Sequence, residues 1–337
     1  MNTILSVMLL WSLAFTVQTI SAIPEARVPL TPFYLSSDQK DAKLKLAGPA
    51  AIAIGPSGNV YAFDDGNSRI VKLDSRGKFI AEFGQTGSGP GAVRPGGLND
   101  SMAVDQDENV YISEPGTPRV LIFSSDGRFQ RSFRLPFPST SITVNKKREI
   151  FLTPDTARPT ELVYVFSDTG KFLRRFGGRL IQSPGNLARN MNIAVAACDA
   201  DDNLFVAFRS WPLIRKYSPD GKLISENQFT IPSELIPESQ RKNYSLDFFA
   251  KYPDSAFMPP LITHSISING RGTGYLLLNA HSIVVFAPSG KVSKQFHFRA
   301  PRDRENVFVR LVASPGAKAQ TYFLDTKSGE IYETSKL

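Results

Sequence analysis

The fold is decided by one stretch of the chain, SMAVDQDENVYISEPGTPRVLIFSSDGRFQRSF, residues 101–133. It contains four short runs rich in Val, Ile, Phe and Tyr, and turns with Gly, Asp, Asn and Ser separate these runs. Such runs are typical of antiparallel strands, and Ser125-Asp126-Gly127 between the last two indicates a tight hairpin. The apolar residues alternate instead of recurring three and four positions apart, which excludes a helical repeat. The stretch therefore predicts one four-stranded antiparallel sheet.

The same unit recurs along most of the chain. Matching first strands begin at Ala51, Ser141 and Ser265, and a further unit contributes the runs Asn203–Val206 and Leu213–Tyr217. Four strands at a period of roughly 40 to 50 residues are the signature of a propeller blade. The sequence therefore contains five complete predicted blades.

A sixth unit is incomplete at the C-terminal end. Arg310–Ala313, Thr321–Leu324 and Glu330–Glu333 supply three strands, and the fourth is missing. An open sheet edge would favour aggregation, so another segment is expected to cover it. Two N-terminal segments qualify, Lys43–Leu46 and Pro29–Tyr34. We predict an all-β, six-bladed propeller of four-stranded antiparallel blades, with the last blade completed by an N-terminal strand.

The pattern resembles that of NHL-repeat six-bladed propellers of the exported bacterial type. The resemblance covers residues 48 to 335 and rests on the recurring Asn-Val-Tyr strand, the Arg-Ile or Arg-Val strand and the Asp-Gly hairpin, as at Asn109-Val110-Tyr111, Arg119-Val120 and Asp126-Gly127. It implies the fold but not one activity. Propellers of this kind include protein and RNA binders, and a few are metal-dependent lyases with His-rich sites near the axis.

The composition and the N-terminal segment indicate the class of protein and its cellular compartment. The 337 residues are 42% hydrophobic with a net charge of +8, which excludes a disordered chain. Residues 1–22 carry no charged side chain and include the apolar run Ile4–Phe15, which predicts a cleaved secretory signal. The competing interpretation is a retained anchor, but the run is shorter than the roughly 20 residues that span a bilayer. We expect residues 23–337 to form one exported domain, periplasmic or secreted, in which the lone Cys198 forms no internal disulfide.

Loop lengths indicate a binding face. The turns between first and second strands and between third and fourth strands are tight, whereas length variation collects in the links between blades, such as Gln85–Asp100 and Gly178–Asn192. By strand parity these links share one face, and long links are usually functional or mobile. The longest is an insertion at residues 231–260, which we predict to be partly helical around Leu246 and Phe249. It is either a lid on the propeller or a docking segment.

Arginines concentrate on the face that carries the long links. The candidate binding residues there are Arg94, Arg119, Arg158, Arg189, Arg209, Trp211 and Arg215. The planar guanidinium suits carboxylate and phosphate groups. Carboxylates on equivalent links offer a competing interpretation, in which the arginines are paired within a mixed, solvated surface. The sequence leaves both open.

Candidate catalytic residues are few. His264 and His281 flank the fifth blade on the same face, where imidazoles could bind a metal or act as acid and base. Glu114 or Asp155 would have to complete such a site. The sequence contains no nucleophile elbow, no His-Glu-x-x-His motif and no phosphate-cradling loop.

The sequence thus favours an exported, monomeric binding module without catalysis or cofactor of its own. The expected partner is a protein, peptide or glycan of the cell envelope or exterior, bound through the face with the long links. Nucleic acid and membrane insertion are not expected. The alternative is a metal-dependent lyase or hydrolase with a divalent metal near His264 and His281. A scaffold role in an envelope assembly is not separable from binding by sequence.

Overall fold

A computed structural model describes residues 27–34, 36–41, 44–87, 89–94, 101–155, 160–182, 185–231, 233–253, 255–278, 282–299, 308–314 and 320–337. The predicted signal segment, residues 1–22, lies outside this range. The strands form six separate sheets, which confirms the predicted six-bladed propeller.

The strands follow the predicted units. Two short strands come first, β1 (Arg27–Pro29) and β2 (Thr31–Tyr34). Blade 1 contains β3 (Pro49–Ile54), β4 (Val60–Asp64), β5 (Arg69–Leu73) and β6 (Phe79–Phe83). Blade 2 contains β7 (Ser101–Val104), β8 (Val110–Glu114), β9 (Arg119–Phe123) and β10 (Phe129–Arg134). Blade 3 contains β11 (Ser139–Val144), β12 (Ile150–Pro154), β13 (Val163–Phe166) and β14 (Phe172–Phe176).

The remaining blades continue in chain order. Blade 4 contains β15 (Ala194–Cys198), β16 (Leu204–Phe208), β17 (Leu213–Tyr217) and β18 (Leu223–Gln228). Blade 5 contains β19 (Thr263–Ile268), β20 (Gly274–Leu278), β21 (Ser282–Phe286) and β22 (Val292–Arg299). Blade 6 contains β23 (Phe308–Ala313), β24 (Thr321–Asp325) and β25 (Glu330–Thr334).

The N-terminal segment closes the ring, as predicted. Strand β2 pairs antiparallel with β25, with Thr31 opposite Glu333 and Tyr34 opposite Ile331. Of the two segments that qualified, Pro29–Tyr34 therefore supplies the closing strand, and residues 44–46 form no strand. Blade 5 has the four predicted antiparallel strands and gains a further one, because β1 pairs in parallel with β22 at its outer edge. The N-terminal segment thus covers the open edges of two blades.

The hydrophobic core is divided among the contacts between blades. The buried apolar side chains of the described residues form six clusters, one at each interface of neighbouring blades. The second strand of each blade is buried on both faces, as the pattern over Val60–Asp64 and Leu204–Phe208 shows. Fourth strands such as β6 and β14 are partly exposed, with a single buried residue in each. This gradient explains why second strands are continuously apolar and fourth strands are mixed.

Serine and threonine hydroxyls tie the innermost strands together. Ser141 Oγ accepts a hydrogen bond from the Ala196 amide at 3.0 Å, and Ser265 Oγ accepts one from the Leu311 amide at 2.9 Å. Each bond joins the first strand of one blade to that of the next. The strands around the axis are therefore held by side-chain bonds where the sheets themselves are not paired.

The antiparallel order assigns every connection to one of two faces. We call the face with the turns between first and second strands and the third-to-fourth hairpins the tight-turn face; residues 55–59 and 124–128 belong to it. The opposite face, with the links between blades such as residues 89–94, 185–193 and 233–253, is the long-link face. It carries α1 (Asn186–Asn192), α2 (Glu238–Arg241) and α3 (Leu246–Lys251). No helix in the described ranges combines the length and apolar character needed to cross a bilayer.

Candidate functional site

Two of the predicted binding residues line one cavity on the long-link face. Arg94, in the link after blade 1, and Arg119, at the start of β9, line a cavity of about 700 Å³ at the outer part of blade 2. Arg134, at the end of β10, and the hydroxyl residues Thr117 and Ser132 complete its polar wall. We call these five residues the arginine corner. The sequence analysis did not select Arg134 or Ser132.

Glu114 holds part of the arginine corner in place through hydrogen bonds. This carboxylate is buried at the end of β8 and accepts hydrogen bonds from the Arg94 amide at 2.8 Å, Thr117 Oγ1 at 3.0 Å and Arg119 Nε at 2.6 Å. Arg119 Nη2 also donates to the carbonyl oxygen of Ala92 at 2.7 Å. These bonds fix the guanidinium of Arg119 and engage both carboxylate oxygens of Glu114.

A second group of predicted residues lies between blades 3, 4 and 5. Arg189 on α1 donates from Nε and Nη2 to one oxygen of Asp155, at 3.0 and 2.7 Å. Arg209, in the link after β16, is only 8% exposed, and its Nε lies 3.3 Å from the carbonyl oxygen of Thr263. Its backbone also bonds to Ile193 and Ile262. Arg209 therefore connects blade 4 to blade 5, and burial lowers the pKa of its guanidinium.

His264 is the titratable group of this second cluster. It lies at a register shift between Thr263 and Ser265 in β19, and such bulges often redirect a side chain at the rim of a β structure. Burial, and then the charges of Arg209 and Arg310, lower the pKa of His264 to about 4. The imidazole is therefore neutral at pH 7. A neutral imidazole near two arginines could donate or accept a hydrogen bond.

The described residues do not fit a divalent metal at this position. Nowhere in the described ranges do three His, Cys, Asp or Glu side chains come close enough to hold a metal ion. His264 faces two guanidinium groups, whose charges would repel a cation. His281 lies outside the described residues, as does Arg158.

The remaining candidates are engaged in the structure of blade 4. Arg215 donates to Glu226 and to the carbonyl oxygen of Gly178, and its guanidinium lies 5.1 Å from the ring centre of Phe208. Trp211 is 9% exposed and stacks on Tyr244 with ring centres 5.2 Å apart. The insertion thus covers Trp211, which belongs to the core beneath it and not to the accessible surface.

The sequence analysis also missed a second concave site, on the tight-turn face. The last residues of the first strands surround the axis there and line a cavity of about 530 Å³ together with the turns that follow; these end residues are Ile54, Val104, Val144, Cys198 and Ile268. The signal was available in the repeated placement of an apolar residue before the first turn of each unit. Burial raises the pKa of the Cys198 thiol to about 12, so the thiol is protonated at neutral pH.

Comparisons with known proteins agree with the fold and leave the family open. No family model matches the chain. Over 115 residues, 32% of this chain, it is 26% identical to the protein brain tumor of Drosophila melanogaster, and the match spans only 10% of that protein. Among solved structures, virginiamycin B lyase from Staphylococcus aureus is similar with a TM-score of 0.53 and 14% identity, covering 91% of this chain and 88% of that one. The Cps50 (Swd1) propeller domain of Myceliophteria thermophila gives a TM-score of 0.51 and 8% identity, covering 92% and 100%. At such identities the likeness shows the propeller fold alone.

Proposed function

We propose that this protein is an exported binding module that recognises a protein, peptide or glycan partner through its long-link face. The observation that carries the proposal is the arginine corner, a concave, polar cavity of about 700 Å³ lined by three arginines. A cavity of this size accommodates a side chain or a small polar group of a partner. Arginine is enriched at interfaces because its planar donors bind oxyanions with defined geometry.

Further features of the same face support recognition of a macromolecule. The insertion presents Tyr252 and Met258, which are 45% and 64% exposed, and Leu261 directly after it is 45% exposed. Aromatic residues and Met are enriched in protein interfaces. The charge-free segment at residues 1–22 supports export, and the single cysteine does not oppose it. The expectation of an envelope or extracellular partner follows from export.

The test is a capture experiment with matched arginine variants. The purified protein is immobilised and exposed to a cell-envelope extract, and the same is done with the double variant Arg94→Gln, Arg134→Gln. The control is Arg76→Gln, which removes an exposed arginine from the tight-turn face. We expect the double variant to lose about nine-tenths or more of the captured partner, because two charged contacts are removed. Equal capture by the double variant and the control would contradict binding at the long-link face.

The alternative is a metal-dependent lyase or hydrolase at the axial mouth near His264 and His281. His264 is neutral at pH 7, but its lowered pKa makes it a weak base, and the two neighbouring guanidinium groups disfavour a bound cation. Metal analysis of the purified protein separates the two functions. Stoichiometric metal that is lost in His264→Ala and in His281→Ala would support the enzyme over the binding module.

A further inference from the structure

Blade 1 contains a completed version of the arginine corner. Its buried Asp64 accepts hydrogen bonds from the Ala47 amide at 2.6 Å, Asn67 Nδ2 at 2.7 Å and Arg69 Nε at 2.9 Å. Arg69 Nη2 donates to the carbonyl oxygen of Lys45 at 3.0 Å. The remaining guanidinium nitrogen of Arg69, Nη1, forms an ion pair with Glu82 on β6. One arginine thus lies between two carboxylates.

Blade 2 repeats the contacts of Asp64 and Arg69 named above, except the ion pair of Nη1. Glu114 takes the place of Asp64, the Arg94 amide that of the Ala47 amide, and Thr117 that of Asn67. Arg119 takes the place of Arg69 and bonds through Nε and Nη2 in the same way. The pattern ends at Nη1 of Arg119, which forms no hydrogen bond within the described part of the chain.

The strand register identifies what is missing. Glu82 lies opposite Val71, two residues after Arg69, and Ser132 lies opposite Leu121, two residues after Arg119. Ser132 is therefore the counterpart of Glu82, and its side chain is neutral and too short to replace the carboxylate. In blade 2 both Ser132 and Arg119 line the cavity, at the register positions where blade 1 has Glu82 and Arg69.

The charges around this position have also changed. Arg134 lies directly opposite Arg119 in the pairing of β10 with β9, a juxtaposition of like charges that is unfavourable by itself. Arg94 stands where blade 1 has Ala47. Within the described residues neither Arg94 nor Arg134 forms an ion pair. Blade 2 therefore has three arginines at this corner and one carboxylate, Glu114, which pairs with Arg119, where blade 1 has two carboxylates for one arginine.

We propose that the arginine corner binds a carboxylate of a peptide or protein partner, a Glu or Asp side chain, at the position that Glu82 occupies in blade 1. This inference rests on the proposed function and names the group that the long-link face recognises. The partner's carboxylate accepts from Arg119 Nη1 and neutralises the repulsion between Arg119 and Arg134. A carboxylate is favoured over phosphate because blade 1 places a carboxylate against the same guanidinium edge.

The test restores the missing carboxylate from within the chain. The variant Ser132→Glu recreates Glu82 and should occupy the site, whereas Ser132→Gln adds similar bulk without charge. The probe is N-acetyl-glutamate amide, titrated into each purified protein and followed by calorimetry at low salt. We expect Ser132→Glu to weaken probe binding about tenfold or more and to raise Tm, and Ser132→Gln to do neither to that extent.

The outcomes separate the ligand classes and the two proposals. The inference would be overturned if the wild-type protein did not bind the probe, or if Ser132→Gln weakened probe binding as much as Ser132→Glu. It would also be overturned if inorganic phosphate or glucuronate bound more tightly than the probe. Arg134→Gly, which copies Gly84 of blade 1, supplies a second variant and should also weaken the probe. Envelope capture that is retained in Ser132→Glu would leave the binding module standing while removing the carboxylate site. A protein that binds the probe but captures nothing from the envelope extract would support the carboxylate site and contradict the proposed binding module.

Discussion

The turn between the first two strands is closed differently in blade 1 than in blades 2 to 5. In blade 2 the turn begins with Asp105, whose Oδ1 accepts from the amides of Asp107 at 2.9 Å and Asn109 at 2.8 Å. Its Oδ2 accepts from the Tyr111 hydroxyl at 2.9 Å. The same position holds Asn145, Asp199 and Asn269 in blades 3 to 5, and their side chains accept from the corresponding amides.

Blade 1 has Gly55 at this position, and Glu108 of blade 2 supplies the missing carboxylate. Glu108 accepts from the Ser57 amide at 2.9 Å and from the Tyr61 hydroxyl at 2.6 Å, the counterparts of Asp107 and Tyr111. A Cβ atom on Gly55 would lie 2.3 Å from Glu108 Oε1. A local cap and the cap from blade 2 therefore exclude each other, and Glu108 locks two blades together.

This exclusion predicts strong coupling between positions 55 and 108. Glu108→Asn keeps a residue that tolerates the positive φ of 62° but is too short to reach blade 1. It leaves the fully buried Tyr61 without its acceptor, and such a loss costs about 3 kcal/mol of unfolding free energy. Gly55→Asp alone places a second carboxylate against Glu108 and should cost at least about 2 kcal/mol. In the double variant Asp at position 55 caps its own turn, as Asp105 does, so most of both losses should be recovered.

Chemical denaturation of the four proteins at pH 7, followed by circular dichroism, measures the coupling. We expect an interaction free energy of about 3 kcal/mol in favour of the double variant. Burial raises the pKa of Glu108, but the hydrogen bonds from Ser57, Tyr61 and Asn59 lower it by more, so that it lies below its usual value. The stabilisation is therefore complete above pH about 4.3 and is lost as pH falls through the lower folded-state pKa. Additive losses at pH 7 would refute the cap from blade 2.

Three further predictions concern the axis, the insertion and ring closure. The folded-state pKa of His264 is about 4, so protonation of this imidazole opposes folding. The free energy of unfolding should therefore fall by up to about 3 kcal/mol between pH 6.5 and pH 4. His264→Gln should flatten this part of the pH profile of unfolding. An unchanged profile in His264→Gln would show that another group titrates. Trp211→Ala should cost about 3 to 5 kcal/mol in denaturation, because the ring is buried under Tyr244; reduced capture of partner at unchanged stability would instead place Trp211 in the binding surface. Deletion of residues 27–34 should expose the edges of β22 and β25 and cause self-association in size-exclusion chromatography, whereas a monomer with unchanged Tm would contradict closure by this segment.

Much of the fold was predictable because its signals are local. Alternation, Gly and Asp turns and the repeated unit depend on residues close in sequence, and they predicted six blades and closure by an N-terminal strand. They did not choose between the two closing segments, since both have strand-forming residues and only pairing with β25 separates them. The added strand β1 gave no hairpin signal, because a parallel pairing with a distant strand requires no turn.

The candidate site, too, was predictable only in part from the sequence. Strand parity alone placed Arg94 and Arg119 on the long-link face, and composition left open whether these arginines bind an oxyanion or pair with neighbouring carboxylates. Composition could not reveal that Trp211 lies beneath the insertion, nor that Glu114 is already occupied by three donors. Ser132 and Arg134 gained their meaning only from the register between β9 and β10. The strands and turns could be predicted from the sequence, because their signals depend on residues close together in the chain. Which charged side chains meet could not be predicted, because their contacts depend on the pairing and packing of segments far apart in the chain.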